Sequence, residues 1–264
     1  TEAAEAYYFL ASAGLDAAQT IAALPRVAAF AQAGNFDLSL ATDLATDALS
    51  ALGLGSDDTA TYLTNLNRVM DNLVKANTSA NASVEQFSKA LTNKAGSAMR
   101  LLGIEIEEGL AVLSVWADQG VKAEEAGTRM DTILKDLTTQ AILNAEAFKK
   151  ANIAVFEFGE IRKIADIVED MEKQFMGMTD AGLKAGIMSL GIANKSVQAT
   201  TSLLGFSGAI RKYEESQLNA AGSTDKVADN LTDIDAAWQQ WGAAMQKVSN
   251  EFMPPVLEQL ALVI

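Results

Sequence analysis

The chain has 264 residues, 49% of them hydrophobic, enough to bury a sizeable core in one large or two small domains, which excludes a disordered chain. Its 34 acids against 20 bases give a formal charge of -14, which argues against specific nucleic-acid binding, because contact with a phosphate backbone needs clustered Lys and Arg. With no cysteine and no histidine, disulfides, thiolate nucleophiles, Ser-His and Cys-His pairs and ordinary zinc sites are ruled out together.

Only 3 prolines, 6% aromatics and abundant alanine favour helices packed closely on small side chains, so an all-α fold is predicted. Asp16 caps a first helix that Pro25 is expected to break or kink and Gly34 to end. Asp37 restarts a helix to about Leu52, and the GLGS turn from Gly53 closes the hairpin. Ser56, Asp57 and Asp58 open the next helix, whose core face is Tyr62, Leu66, Val69 and Leu73. The polar stretch at 76–83 is read as a connector, ending in a Ser83 to Gln86 capping box. Ile106, Leu110, Leu113 and Ala117 then line one helical face, with Trp116 beside them as core.

A short β-hairpin is expected near 153–162, where Val155, Phe156 and Phe158 precede Gly159 and Ile161 follows it. Two helices come next, at 166–176 and 180–190, the second capped by Thr179 or Asp180. The last helix is the most regular. Val227, Leu231, Ile234, Trp238, Trp241, Met245, Val248 and Phe252 alternate spacings of four and three until Pro254 and Pro255. This seam is a candidate surface for self-association or docking, and a long amphipathic helix folded back on its own domain fits the same pattern. The expected organisation is a helical-hairpin body over 1–222 and an amphipathic heptad helix with the start of a following segment over 223–264. Because it begins at Thr1 and stops in an apolar run, the chain reads as a fragment of a longer protein. No uninterrupted apolar run reaches the roughly 18 residues of a membrane span.

The search for chemistry finds no catalytic, cofactor-binding or metal-ligating set. Acid pairs occur at Asp57 and Asp58, Glu107 and Glu108, Glu124 and Glu125, and Glu214 and Glu215. Adjacent helical residues point about 100° apart, so these are read as solvated caps or surface rather than a general acid and base. Asp225, Asp229, Asp233 and Asp235 lack the alternating acids and glycine turn of a calcium loop, and are read as a solvated face. Gly53 with Gly55, and Gly205 with Gly208, lack the Gly-Lys-Ser/Thr of a phosphate loop.

A helix, glycine turn and helix unit occurs twice, at 14–49 and 103–134, each opening with Gly, an apolar residue and an acid, and turning at Gly34 or Gly120. The wording of these stretches resembles the core domain of phage tail tape measure proteins. The shared boxes are GLDAAQTIAALPRVAAFAQAG at 14–34, ATDLATDALSALGL at 41–54, NTSANASVEQF at 77–87 and ADQGVKAEEAGTRMDTIL at 117–134, in the family's order across roughly 11–248. One departure is Glu105, where the family has a small capping residue, which leaves the start of the second unit less defined. The resemblance implies a structural protein, not an enzyme, that occupies the phage tail tube, helps set tail length during assembly and leaves at DNA ejection. Implied partners are tail tube and tail-tip or baseplate hub proteins, with a homo-oligomer, taken as a trimer. It places the protein in the virion, inside the tube near the tip, and in the host cytoplasm during assembly. The rival reading is a membrane-active helical module that contacts the host membrane and forms a DNA conduit through the envelope.

Overall fold

The first helix starts from local chemistry. Asp16 accepts the Gln19 N–H at 2.8 Å, and the Asp16 N–H donates to Gln19 Oε1 at 3.1 Å, a reciprocal capping box. From there α1 runs over Ala17–Gly34 in the computed structural model, which describes residues 8, 10–12 and 14–231. Pro25 neither breaks nor ends it. Pro25 and Ile21, the residue whose carbonyl it leaves without a helical partner, share the exposed face, so the missing bond lies on the side open to solvent. Gly34 is the last helical residue, and the left-handed cap falls on Asn35 at φ 54°. A Cβ on Gly34 would lie 1.8 Å from the Phe36 ring, so glycine is needed for close approach, while asparagine tolerates the left-handed turn. Phe36 then meets Phe30 edge-on, with ring centroids 5.3 Å apart.

Three more helices carry their own caps. Asp37 opens α2 (Leu38–Ala51), Asp58 opens α3 (Thr59–Ser79) and Ser83 opens α4 (Val84–Ala90), each accepting a backbone N–H three residues on. The first half of the polar stretch at 76–83 is helix, and only 80–83 form the connector. Ala76 is fully buried, and Asn77 Nδ2 reaches the Ala82 carbonyl at 3.0 Å, so packing and a side-chain bond carry α3 to Ser79. A π turn at Leu91–Ala95 joins α4 to α5 (Gly96–Leu102).

The second repeat unit is α6 (Ile106–Asp118) and α7 (Ala123–Leu143), joined through Gly120. Twelve of the 13 residues of α6 are buried, against 7 of 18 in α1, so α6 is the central pillar. Trp116 on it is fully buried and donates from Nε1 to Ser202 Oγ at 2.8 Å. At Gly127 an added Cβ would lie 2.3 Å from the Ala90 carbonyl oxygen, so that glycine sets how closely α7 approaches α4.

After the short α8 (Ala145–Lys150), β1 (Phe156–Glu157) pairs antiparallel with β2 (Glu160–Ile161), Phe156 opposite Ile161. Phe158 and Gly159 both hold positive φ, the mark of a type I′ turn, and Phe158 at the tip is wholly exposed. Four helices complete the described body: α9 (Ile164–Phe175), α10 (Asp180–Ser189) capped by Thr179, α11 (Asn194–Thr201) and α12 (Ser207–Leu218), which packs along α6. Helical backbone resumes at 223–231. The fold is predominantly all-α with one short hairpin, and its apolar core runs from Leu10 to Ile210. Among the described residues no helix is long and apolar enough to cross a membrane.

Candidate interaction site

The buried N-terminus of α6 overturns one sequence expectation. Glu107 and Glu108 are only 7% and 5% exposed, not solvated surface. Their divergence on the helix sends each to a different neighbour. Glu107 accepts from Arg68 of α3, at 2.8 Å from Nε and 2.5 Å from Nη2, and from Asn72 Nδ2 at 3.2 Å. These bonds hold the Arg68 guanidinium above its usual range. Glu108 faces the other way. It accepts the Ile164 N–H at the start of α9 at 2.5 Å, and Lys163 Nζ at 3.1 Å. Burial pushes the Glu108 carboxyl up, against the pull of the Ile164 N–H and Lys163. Lys163 also reaches Glu214 of α12 at 2.7 Å, so Glu214 too is a packing contact. Burial acts to lower the Lys163 ammonium, but the bonds and charges of Glu214 and Glu108 outweigh it and leave it raised.

The same device recurs twice. Glu172 of α9 accepts the Gly205 and Ser207 N–H groups at 2.8 and 2.9 Å and the Ser207 hydroxyl at 2.5 Å, capping α12 from outside. The Gly205 loop therefore binds an anion after all, a carboxylate of its own chain. Asp71 of α3, 5% exposed, accepts the N–H groups of Gly222 at 2.8 Å and Thr224 at 3.0 Å, capping the helix that begins at 223.

That last helix carries the start of the heptad seam. Val227 is partly buried against the core, and Leu231 lines a groove of about 360 Å³ with Ala31, Gln32, Asn35, Phe36 and Asp37. Ile234, Trp238, Trp241, Met245, Val248 and Phe252 lie outside the described residues. Arg26 of α1 pairs with Asp225, and Gln32 Nε2 donates to the Ala228 carbonyl at 3.1 Å, so the helix runs alongside α1 towards the α1–α2 turn. Asp225 is half exposed and also an ion-pair partner; Asp229 is exposed, and Asp233 and Asp235 lie outside the described residues.

Asp58 caps α3, Asp57, Glu124, Glu125 and Glu215 are exposed, and Glu125 pairs with Arg129 one turn on at 2.6 Å. Among the described residues no group of acids is placed to hold a metal ion. Sequence reasoning missed Asp71, Glu172 and the whole of α12. The local signal for α12 is Ile210, Tyr213 and Gln217 at helical spacing, and it is weak because a buried Gln217, whose amide lies against Asn72, stands where an apolar residue is expected.

Residues 1–190 match the family described as phage-related minor tail protein. The tape measure protein of Pneumococcus phage Dp-1 is 21% identical over 265 residues, an alignment that covers 98% of this chain and 22% of that protein. The chain therefore spans about a fifth of the length of that curated relative. No solved structure matches the chain. Helical units in the order of the sequence boxes accompany a family match over well more than half of the length: the chain belongs to the phage-related minor tail protein family, structural proteins of the phage tail.

Proposed function

We propose that this chain is a folded module of a tape measure protein. It sits inside the tail tube near the tip, holds tube and tip or baseplate hub proteins during assembly in the host cytoplasm, and leaves at DNA ejection. Extended helix elsewhere in the longer protein does the measuring, since helix converts chain length to distance at about 1.5 Å per residue. The observation that carries this reading is the glycine- and asparagine-turned stack of helices around one buried pillar, α6, which is a poor rod and a good anchor. The body over 1–222 is the module, and the segment over 223–264 is the lead into the rest of the protein. The seam from Val227 and Leu231 through Ile234, Trp238, Trp241, Met245, Val248 and Phe252 serves self-association, as a trimer, or docking to a tail partner.

Deleting 16–52 from the phage-encoded protein separates module from ruler. Removing α1 and α2 uncovers the faces of α3 and its neighbours, and the expected result is misfolding or a block at tip assembly. Infectious particles whose tails are shortened by about 1.5 Å per deleted residue would assign this region to the ruler instead.

A further inference from the structure

The helix at 223–231 is attached differently from every element of the core. The bonds that hold it to the body are polar: the Thr224 N–H on Asp71, joined there by the Gly222 N–H of the preceding turn, the Arg26 to Asp225 pair, and Gln32 on the Ala228 carbonyl. Its apolar contribution is small: Ala228, 5% exposed, the partly buried Val227, and Leu231 at the groove beside Ala31 and Phe36. Polar bonds of this kind exchange with water at little net cost, whereas separating α6 would expose Leu110, Leu113 and Trp116 together. Docking also carries a penalty: the Thr224 hydroxyl is buried with no hydrogen-bond partner, and opening would hydrate it. Between α12 and this helix lies the non-helical turn at 219–222, ending in Gly222 at φ 74°, a residue free to change its backbone angles. All three features favour motion at one place.

We propose that 223–231 is a releasable strap, which swings off α1 and α3 about the 219–222 turn while the body stays folded, with Asp71 as its latch. Opening withdraws a helix N-terminus from a buried carboxylate, so the latch is electrostatic and directional rather than greasy. Closing fixes the direction in which the chain leaves the body, alongside α1; opening frees it.

The absence of cysteine makes this directly measurable, because one introduced thiol is the only one in the chain. Ala228→Cys places it under the strap, and Ala111→Cys, at a fully buried position on α6, places it in the pillar. In the full 264-residue chain, with helical circular dichroism unchanged, the Ala228→Cys thiol is expected to react with a maleimide at least about 100-fold faster than the Ala111→Cys thiol. Adding Asp71→Asn, which keeps shape but removes the charge, should speed the first by roughly tenfold and leave the second unchanged. Hydrogen exchange in the unsubstituted chain gives an independent reading, with the Gly222 and Thr224 amides exchanging well ahead of those in α6. Equal labelling rates, equal acceleration of both thiols by Asp71→Asn, or strap amides as slow as the pillar's would each overturn the proposal. None of these readouts depends on tail assembly.

Discussion

The first four helices bring their own caps, while three in the C-terminal half borrow theirs. Asp16, Asp37, Asp58 and Ser83 each sit immediately before the helix they cap. The starts of α9, α12 and the helix at 223 are instead held by Glu108, Glu172 and Asp71, which lie 56, 35 and 153 positions from the N–H groups they accept. Among the described helices of the later part, α10, capped by Thr179, alone follows the first pattern. A local cap stabilises a helix whether or not it is docked. A borrowed cap exists only after docking, so it couples the formation of one helix to the placement of another and makes that region cooperative.

The largest way to break this arrangement is at Glu108. Glu108→Ala leaves the buried Ile164 N–H without an acceptor and opens space beside α6, and is expected to cost about 2–3 kcal/mol in urea unfolding at neutral pH. A cost below about 0.5 kcal/mol, the range of an ordinary surface change, would show that the borrowed cap contributes nothing. The pH dependence sharpens the test. Burial raises this carboxyl above its ordinary 4.5, so the folded chain holds the proton more tightly than the unfolded one. Its contribution is therefore fullest below that value and declines as pH rises through the raised pKa. Against Glu108→Gln, which does not titrate, the natural chain should lose relative stability across that rise. An opposite slope would contradict the direction assigned here.

Glu172 should come next. Glu172→Ala removes two backbone caps and a hydroxyl bond from the start of α12, for an expected loss of about 1.5–2 kcal/mol. If the cap is what orders that helix, the Ser207 and Gly205 amides will show the greatest gain in hydrogen exchange. Uniform acceleration over the molecule would mean that Glu172 acts only through global stability.

How much could be read in advance follows the same division. The starts of α1 to α4, Thr179 before α10, the hairpin about Phe158 and Gly159, and the buried face with Trp116 were legible, because each depends on residues a few positions apart. Borrowed caps were not. A glutamate pair at 107–108 looks like any solvated pair until the fold shows which helix ends face it, and nothing near Asp71 points to an N–H group at Thr224. That α1 continues through Pro25 was not legible for a related reason: the effect of the proline depends on which side of α1 faces water, a tertiary fact.

The smallest expected effect compares the two repeat units at their opening residues. Asp16 caps α1 through its side chain, with Gln19 returning the bond, so Asp16→Ala should cost about 1 kcal/mol. Glu105 holds the matching position before α6, and its backbone is extended as a cap requires, but its side chain makes no cap bond. It turns away to Arg68 at 2.7 Å, with 63% of the side chain exposed. An exposed ion pair of that kind contributes little, so Glu105→Ala should cost no more than about 0.5 kcal/mol. Glu105→Ser should then stabilise the chain, because a serine there supplies the missing bond to the first turn of α6 and forfeits only the weak pair. Urea midpoints for the three variants check the order. If Glu105→Ala proves as costly as Asp16→Ala, the second unit depends on its opening acid as the first does, and the difference between them lies elsewhere.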